Sequence, residues 1–178
     1  MKSLKGTKTE QNLMTSFIGE SQARNKYTYY ASKAKKEGYV QISKIFEETA
    51  NNEKEHAKIW FKLIDKTGTT TQNLESSIKT EGYEAREMYP SFAETAKAEG
   101  FDDIAKLFTE VSKIEAEHEK RYIKLLNNLN NNQVFTSDKN ENWICLNCGY
   151  VHTGTSAPEE CPACSHPQDY FAKLRENY

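Results

Sequence analysis

Two short stretches of the chain combine carboxylates with an imidazole: "EKEH" at 53–56 and "EAEH" at 115–118. In each, a Glu stands three residues before a His. On a helix that spacing projects both side chains from one side, a turn apart. Each pair interrupts an apolar seam. One seam runs Ile42, Phe46, Thr49, Glu53, His56, Trp60, Leu63; the other runs Ile104, Phe108, Val111, Glu115, His118, Tyr122, Leu125. These are steps of four and three, the spacing of a core-facing stripe. Glu20 breaks the stripe of Leu13, Phe17, Tyr27, Ala31 and Ala34 in the same way, and Glu81 and Glu84 stand at the start of a further helical stretch. Carboxylates taken out of water cost several kcal/mol unless paired. The only basic candidates nearby are Arg24 and Arg86. Two divalent or trivalent cations resolve the imbalance, each motif giving one His and one Glu able to bridge. Carboxylate with imidazole suits iron or manganese better than structural zinc. Tyr27 and Tyr89 fall one or two turns beyond Glu20 and Glu81. A buried hydroxyl needs a partner, and a ligating carboxylate can supply it; an ordinary core tyrosine is the alternative.

A second constellation lies at the other end. All four cysteines, Cys145, Cys148, Cys161 and Cys164, fall within twenty residues, as "CLNC" and "CPAC". Such clustering points to metal before disulfides. Four thiolates form a tetrahedral site for zinc or iron, and the spacing alone leaves that choice open. Gly149 leaves room for backbone amides to approach the sulfurs, and Trp143, Tyr150, Tyr170 and Phe171 can form a small aromatic core. His152 and His166 are expected to face solvent.

The elements that position these groups follow from a repeat. Residues 23–64 shifted by 62 fall on 85–126 with 18 identities in 42 positions, including Gly38 on Gly100 and Tyr27 on Tyr89. Two helical hairpins related by duplication explain this. Helices are expected at about 8–36, 39–65, 77–98 and 101–129, with Gly38 and Gly100 in the turns. The stretch 65–76, "DKTGTTTQNLES", is long enough to cross over a bundle. An all-α four-helix bundle with one long crossover follows. One residue more separates Glu81 from Ala85 than Glu20 from Ala23; a π-bulge or a shifted helix start would absorb it. The bundle is expected over 1–134, a linker over 135–141 and the cysteine module over 142–178. The module is too short for a core of its own, so a metal staple is expected.

Composition sets outer limits. The chain has 178 residues, 37% hydrophobic and 28% charged, with a net charge of −2. This argues against nucleic acid or an anionic membrane surface as partner. No apolar run is long enough to span a bilayer, and "MKSLKGTKTEQ" lacks the apolar core of a secretory signal, so a cytoplasmic protein is expected. No G-x-G-x-x-G follows a strand, so the chain is not expected to bind a nicotinamide itself.

With these residues in place, the chain resembles the rubrerythrin family over essentially its whole length. "GESQARNKY", "EKEH", "EMYPSFA", "EAEH", "NWICLNCGYVH" and "APEECPAC" are similar to that family's motifs, in its order. The resemblance implies a ferritin-like di-iron bundle followed by a rubredoxin-like domain whose mononuclear iron is held by Cys145, Cys148, Cys161 and Cys164. It implies Glu20, Glu53, His56, Glu81, Glu84, Glu115 and His118 as di-iron ligands, with His56 and Glu84 exchanging on oxidation. It further implies a peroxidase that reduces hydrogen peroxide to water. Electrons would come from a rubredoxin or an NAD(P)H-dependent reductase through the thiolate-bound iron. A homodimer is implied, in which that iron approaches the di-iron site of the other subunit. The loop before Glu81 looks shorter than in some family members. The rival reading is a ferritin-like ferroxidase or iron-binding protein, against which the cysteine module argues, since storage needs no electron relay.

Overall fold

The computed structural model describes residues 3–64 and 67–176. The chain forms two compact units, divided between Thr67 and Gly68. The expected class holds: a helical part followed by a small strand region bearing the four cysteines. Among the described residues, no helix is long and apolar enough to cross a membrane.

The first unit is a hairpin of α1 (Lys8–Lys36) and α2 (Val40–Ile64). Thr7 caps α1, its side chain accepting from the Glu10 N–H, so one of the orphan donors at the helix start is satisfied. Gly38 turns the chain at φ +87°, a conformation open to glycine at no steric cost. The Tyr39 N–H then closes back onto the Ala34 carbonyl at 2.9 Å. The second unit begins with α3 (Thr70–Tyr83). A π-helical turn (Glu84–Met88) and α4 (Tyr89–Ala98) continue it, and α5 (Asp102–Asn130) follows. Its turn repeats the first at the shifted positions: Gly100 has φ +86°, and the Phe101 N–H reaches the Ala96 carbonyl at 2.8 Å.

Three expectations change. The third helix starts at Thr70, not near 77, because Thr69 and Gln72 form a reciprocal capping box. In "TTTQ" the cap is satisfied seven residues earlier than the periodicity suggests. The stretch expected to join the halves therefore ends at Thr69 rather than at residue 76. Beyond α5, the stretch 136–141, expected within the linker, forms the first part of β1 (Thr136–Cys145). The seam residues Ile42, Leu63, Ile104 and Leu125 are 43–53% exposed, and the buried residues of the helices are small, chiefly Ala31, Ala34, Ala50, Ala57, Ala85, Ala96 and Ala105. Alanines let paired helices approach closely but bury little apolar area.

The C-terminal part of the second unit is a three-stranded antiparallel sheet in the order β2 (Val151–Ser156), β1, β3 (Phe171–Lys173). Trp143 and Phe171 are buried with Cys145, Cys161 and Ala157, and Tyr150 packs against them. The Trp143 indole N–H donates to the Gly154 carbonyl at 2.9 Å, satisfying a polar group that burial would otherwise penalise. Tyr170 does not join this core: it is exposed, and its ring meets His166 edge-on at 4.5 Å. His152 and His166 are half-buried rather than solvent-facing.

Candidate metal centres

In the first unit, α1 supplies Glu20, and α2 supplies Glu53 and His56; one ligand atom from each lies within 4.8 Å of the others. The i, i+3 spacing places His56 Nδ1 2.8 Å from Glu53 Oε2. A proton shared with Glu53, then burial, holds the Glu20 carboxyl above the ordinary carboxylate range. Two carboxylates this close cannot both ionise cheaply. The Trp60 indole lies one turn beyond His56. Its Nε1 is buried with no hydrogen-bond partner among the described residues, yet it lies close enough to the Glu20 carboxylate to favour its charged form. Sequence reasoning read Trp60 only as a seam residue. The signal available was an indole donor directly on the ligand stripe.

The second unit repeats this with α3 and α5. Glu81, Glu115 and His118 bring one ligand atom each within 4.8 Å. His118 Nδ1 lies 2.8 Å from Glu115 Oε2 and 3.3 Å from Glu81 Oε2. Burial, then a proton shared with Glu115, raises the Glu81 carboxyl. Glu84 stands in the π-turn, outside this cluster. Tyr27 packs on Phe46 and Tyr89 on Phe108, each pair at 6.0 Å with the same 33° tilt. Burial and the charges of Glu84 and Glu115 push the Tyr89 phenol upward. Neither hydroxyl donates to a carboxylate among the described residues.

The π-turn absorbs the extra residue between Glu81 and Ala85, and its cause is local. The Tyr89 N–H bonds to the Glu84 carbonyl. The next donor that could reach the Ala85 carbonyl would come from Pro90, which has no N–H. The Ser112 hydroxyl on α5 fills that place, donating to the Ala85 carbonyl at 2.8 Å. The repeat pairs Ser112 with Ala50, so only the half with the bulge carries the hydroxyl, a signal the sequence held. Arg86 leaves the turn to grip Glu119 with both nitrogens, Nη2 to Oε1 at 2.8 Å. It is therefore a partner of Glu119, not a counter-charge for the ligand cluster, and the Glu119 carboxyl is held below the ordinary range.

The cysteines form a third cluster, with all four Sγ atoms within 4.8 Å of one another. Cys145 and Cys164 lie 3.7 Å apart, Cys148 and Cys161 3.6 Å. A tetrahedral ion with metal–sulfur bonds of about 2.3 Å needs sulfurs about 3.8 Å apart, so the set fits one ion. Both knuckles are built alike. Gly149 and Ser165, each just after the second cysteine of its pair, have φ +80° and +55° and donate to the carbonyls of Cys145 and Cys161 at 2.8 Å. The Tyr150 backbone lowers the Cys148 thiol, but the surrounding sulfurs and desolvation outweigh it and push the thiol up to about 12. The His166 backbone brings Cys164 down to about 6. One thiolate among four close sulfurs suppresses ionisation of the next, and a cation removes that penalty.

Comparisons with known proteins identify both parts of the chain. A family model described as Rubrerythrin matches residues 11–126 and again 72–146. A second, described as Rubrerythrin, rubredoxin-like domain, matches 143–172. The chain is 51% identical to Rubrerythrin-1 of Clostridium acetobutylicum over 195 aligned positions, covering all of both chains. It is 47% identical to rubrerythrin of Nitratidesulfovibrio vulgaris, again over the whole of both. Among solved structures, it is 31% identical to nigerythrin in a partially reduced state, covering 98% of this chain and 92% of that one, with a TM-score of 0.37.

Proposed function

The chain belongs to the rubrerythrin family, and on that premise we propose that it is a non-haem di-iron peroxidase that reduces hydrogen peroxide to water. The donor sets for its cofactors are in place: four cysteines for a rubredoxin-like iron, and Glu/His clusters for a di-iron site. When bound, the paired irons supply the two electrons that peroxide reduction consumes, and the thiolate-bound iron supplies their replacement. Glu20, Glu53 and His56 would hold metal from one half, and Glu81, Glu84, Glu115 and His118 from the other.

The single observation that carries this reading is the duplication of a Glu/Glu/His cluster in a chain that also holds a preformed four-thiol cage. A storage protein has no use for the cage. The chain's own residues then have defined tasks. Each i, i+3 Glu–His pair keeps its ligand atoms within 2.8 Å before metal arrives, which lowers the ordering cost of binding. The shared protons at Glu20 and Glu81 leave when a cation binds. Tyr89, its phenol raised, stays protonated at neutral pH and is a proton donor on the Glu84–Glu115 side. Reduction of peroxide to two waters takes up two protons with the two electrons, so such a donor has work in the reaction. The electron source in this reading is a rubredoxin or an NAD(P)H-dependent reductase, the protein is a cytoplasmic homodimer, and the role is defence against peroxide.

Stopped-flow mixing of the reduced protein with peroxide tests it. Rapid reoxidation is expected, slowed at least 100-fold in a Glu53→Ala, Glu115→Ala variant. Equal rates for the two proteins would defeat the reading.

A further inference from the structure

We infer that the groove between α1 and α2 is a binding site for a small organic acid, with the carboxylate on Arg24 and an apolar or aromatic body on Phe17 and Phe61. The site is separate from the metal clusters and goes beyond the peroxidase reading.

The internal repeat supplies the reason. In the second unit Arg86 grips Glu119 through two nitrogens, Nη2 to Oε1 at 2.8 Å and Nη1 to Oε2 beside it. This is the forked geometry in which a planar guanidinium matches a carboxylate. The shift of 62 residues carries Arg86 onto Arg24 and Glu119 onto Ala57. The guanidinium is kept and its carboxylate is gone. Among the described residues, the Arg24 side chain makes one hydrogen bond, from Nη1 to Asn25 Oδ1 at 3.3 Å, and meets no carboxylate. Arg24 and Ala57 instead line a common cavity of about 360 Å³. Ala57 is 7% exposed, so it forms the floor where the second unit has an acid.

The neighbouring exchanges move charge in the same direction. Glu87 is matched by Asn25, Ala116 by Lys54, and Lys120 by Lys58. Lys54 and Lys58 line the cavity with Arg24. The acid beside them is Glu55, 3.6 Å from Lys54 and 3.1 Å from Lys58, and it is shared between the two. Three cations thus face one carboxylate. At the matching place in the second unit, Arg86 and Lys120 face Glu87, Glu117 and Glu119. The sign of the local charge has reversed between the halves. A concave surface lined by one sign of charge draws the opposite ion.

The shape of the cavity selects among anions. Phe17 and Phe61, with ring centroids 5.3 Å apart, form one wall. A hydrated inorganic anion gains nothing from that wall. A carboxylate on an aromatic or branched aliphatic body buries apolar area against it while its head meets Arg24. Lys54 and Lys58 add attraction as point charges, and the Arg24 fork sets the orientation.

Equilibrium dialysis of the iron-loaded, full-length protein against radiolabelled benzoate tests the site. One benzoate per chain is expected, with a Kd of about 1 mM or tighter, weakening as salt rises. Arg24→Gln should lower the affinity about 10-fold or more, the loss of a charge-assisted pair. Ala57→Glu returns a carboxylate to the place that Glu119 fills in the other half, and should abolish binding. If Ala57→Glu does not fold, Arg24→Gln still decides, because Arg24 is exposed. Benzoate that does not bind, or that binds wild type and Arg24→Gln equally, overturns the site. Phosphate binding as tightly as benzoate overturns the organic-acid assignment. Metal-free protein should bind benzoate with unchanged affinity, so failure of the di-iron reading leaves this test intact. Binding that needs the metals, or that shifts the di-iron absorption, would place the acid on the ions and overturn the site.

Discussion

Removing the Ser112 hydroxyl isolates what the π-turn costs. Ser112→Ala leaves the Ala85 carbonyl without a donor: the Tyr89 N–H is bonded to Glu84, and Pro90 has none. Ala85 is 7% exposed, so water cannot readily replace the lost partner. A buried orphan acceptor costs about 1–3 kcal/mol, against a helix-propensity gain for Ala over Ser of about 0.5 kcal/mol. The net loss should be about 1–2 kcal/mol. Thr109→Ala is the control. Its hydroxyl donates to the Ala105 carbonyl at 3.0 Å, in the first turn of α5, where that carbonyl faces a helical N–H four residues on. Its loss should stay within about 0.5 kcal/mol. Urea melts of the metal-free protein, followed by helical circular dichroism, measure both from midpoint shifts at constant m-value. If Ser112→Ala is no more costly than Thr109→Ala, the hydroxyl does not support the bulge and the reasoning fails. If the hydroxyl does support the bulge, iron affinity of the bundle should fall too, because Glu84 opens that turn and Glu81 stands three residues before it.

Three further outcomes are expected. Gly82 sits against the Arg86–Glu119 pair, where an added Cβ would run into Arg86 Nη2 and Glu119 Oε1; Gly82→Ala should therefore miss the ~1 kcal/mol that alanine usually brings to a helix, and the gain should return in a Glu119→Ala background in thermal melts. The Glu81 carboxyl is raised by burial and by its proton shared with Glu115, so its contribution to folding is present below its unfolded pKa and lost as pH rises through the folded one; metal-free Glu81→Gln should gain on wild type from the ordinary carboxylate range up to neutral pH, and a melting-temperature gap that stays constant with pH would contradict this. Cys161, fully buried in the cage, should on change to Ser cost the single thiolate-bound ion and its visible absorbance while leaving bundle iron intact, as metal analysis with spectroscopy would show.

The chemistry of this chain is written in local spacing. Glu and His three apart, twice and 62 residues apart, and two C-x-x-C pairs are properties of the sequence as such, because a helix and a metal knuckle convert fixed residue offsets into fixed directions. The four clustered thiols and both Glu/Glu/His groups stand where that spacing put them. So do the matched Gly38 and Gly100 turns. What local periodicity missed depended on individual hydrogen bonds. The start of α3 was decided by Thr69 and Gln72, and the choice of a π-turn over a shifted helix start by Pro90 and a hydroxyl from another helix. The role of Arg86 depended on Glu119, 33 residues away. Such pairings join groups distant along the chain, so no offset encodes them.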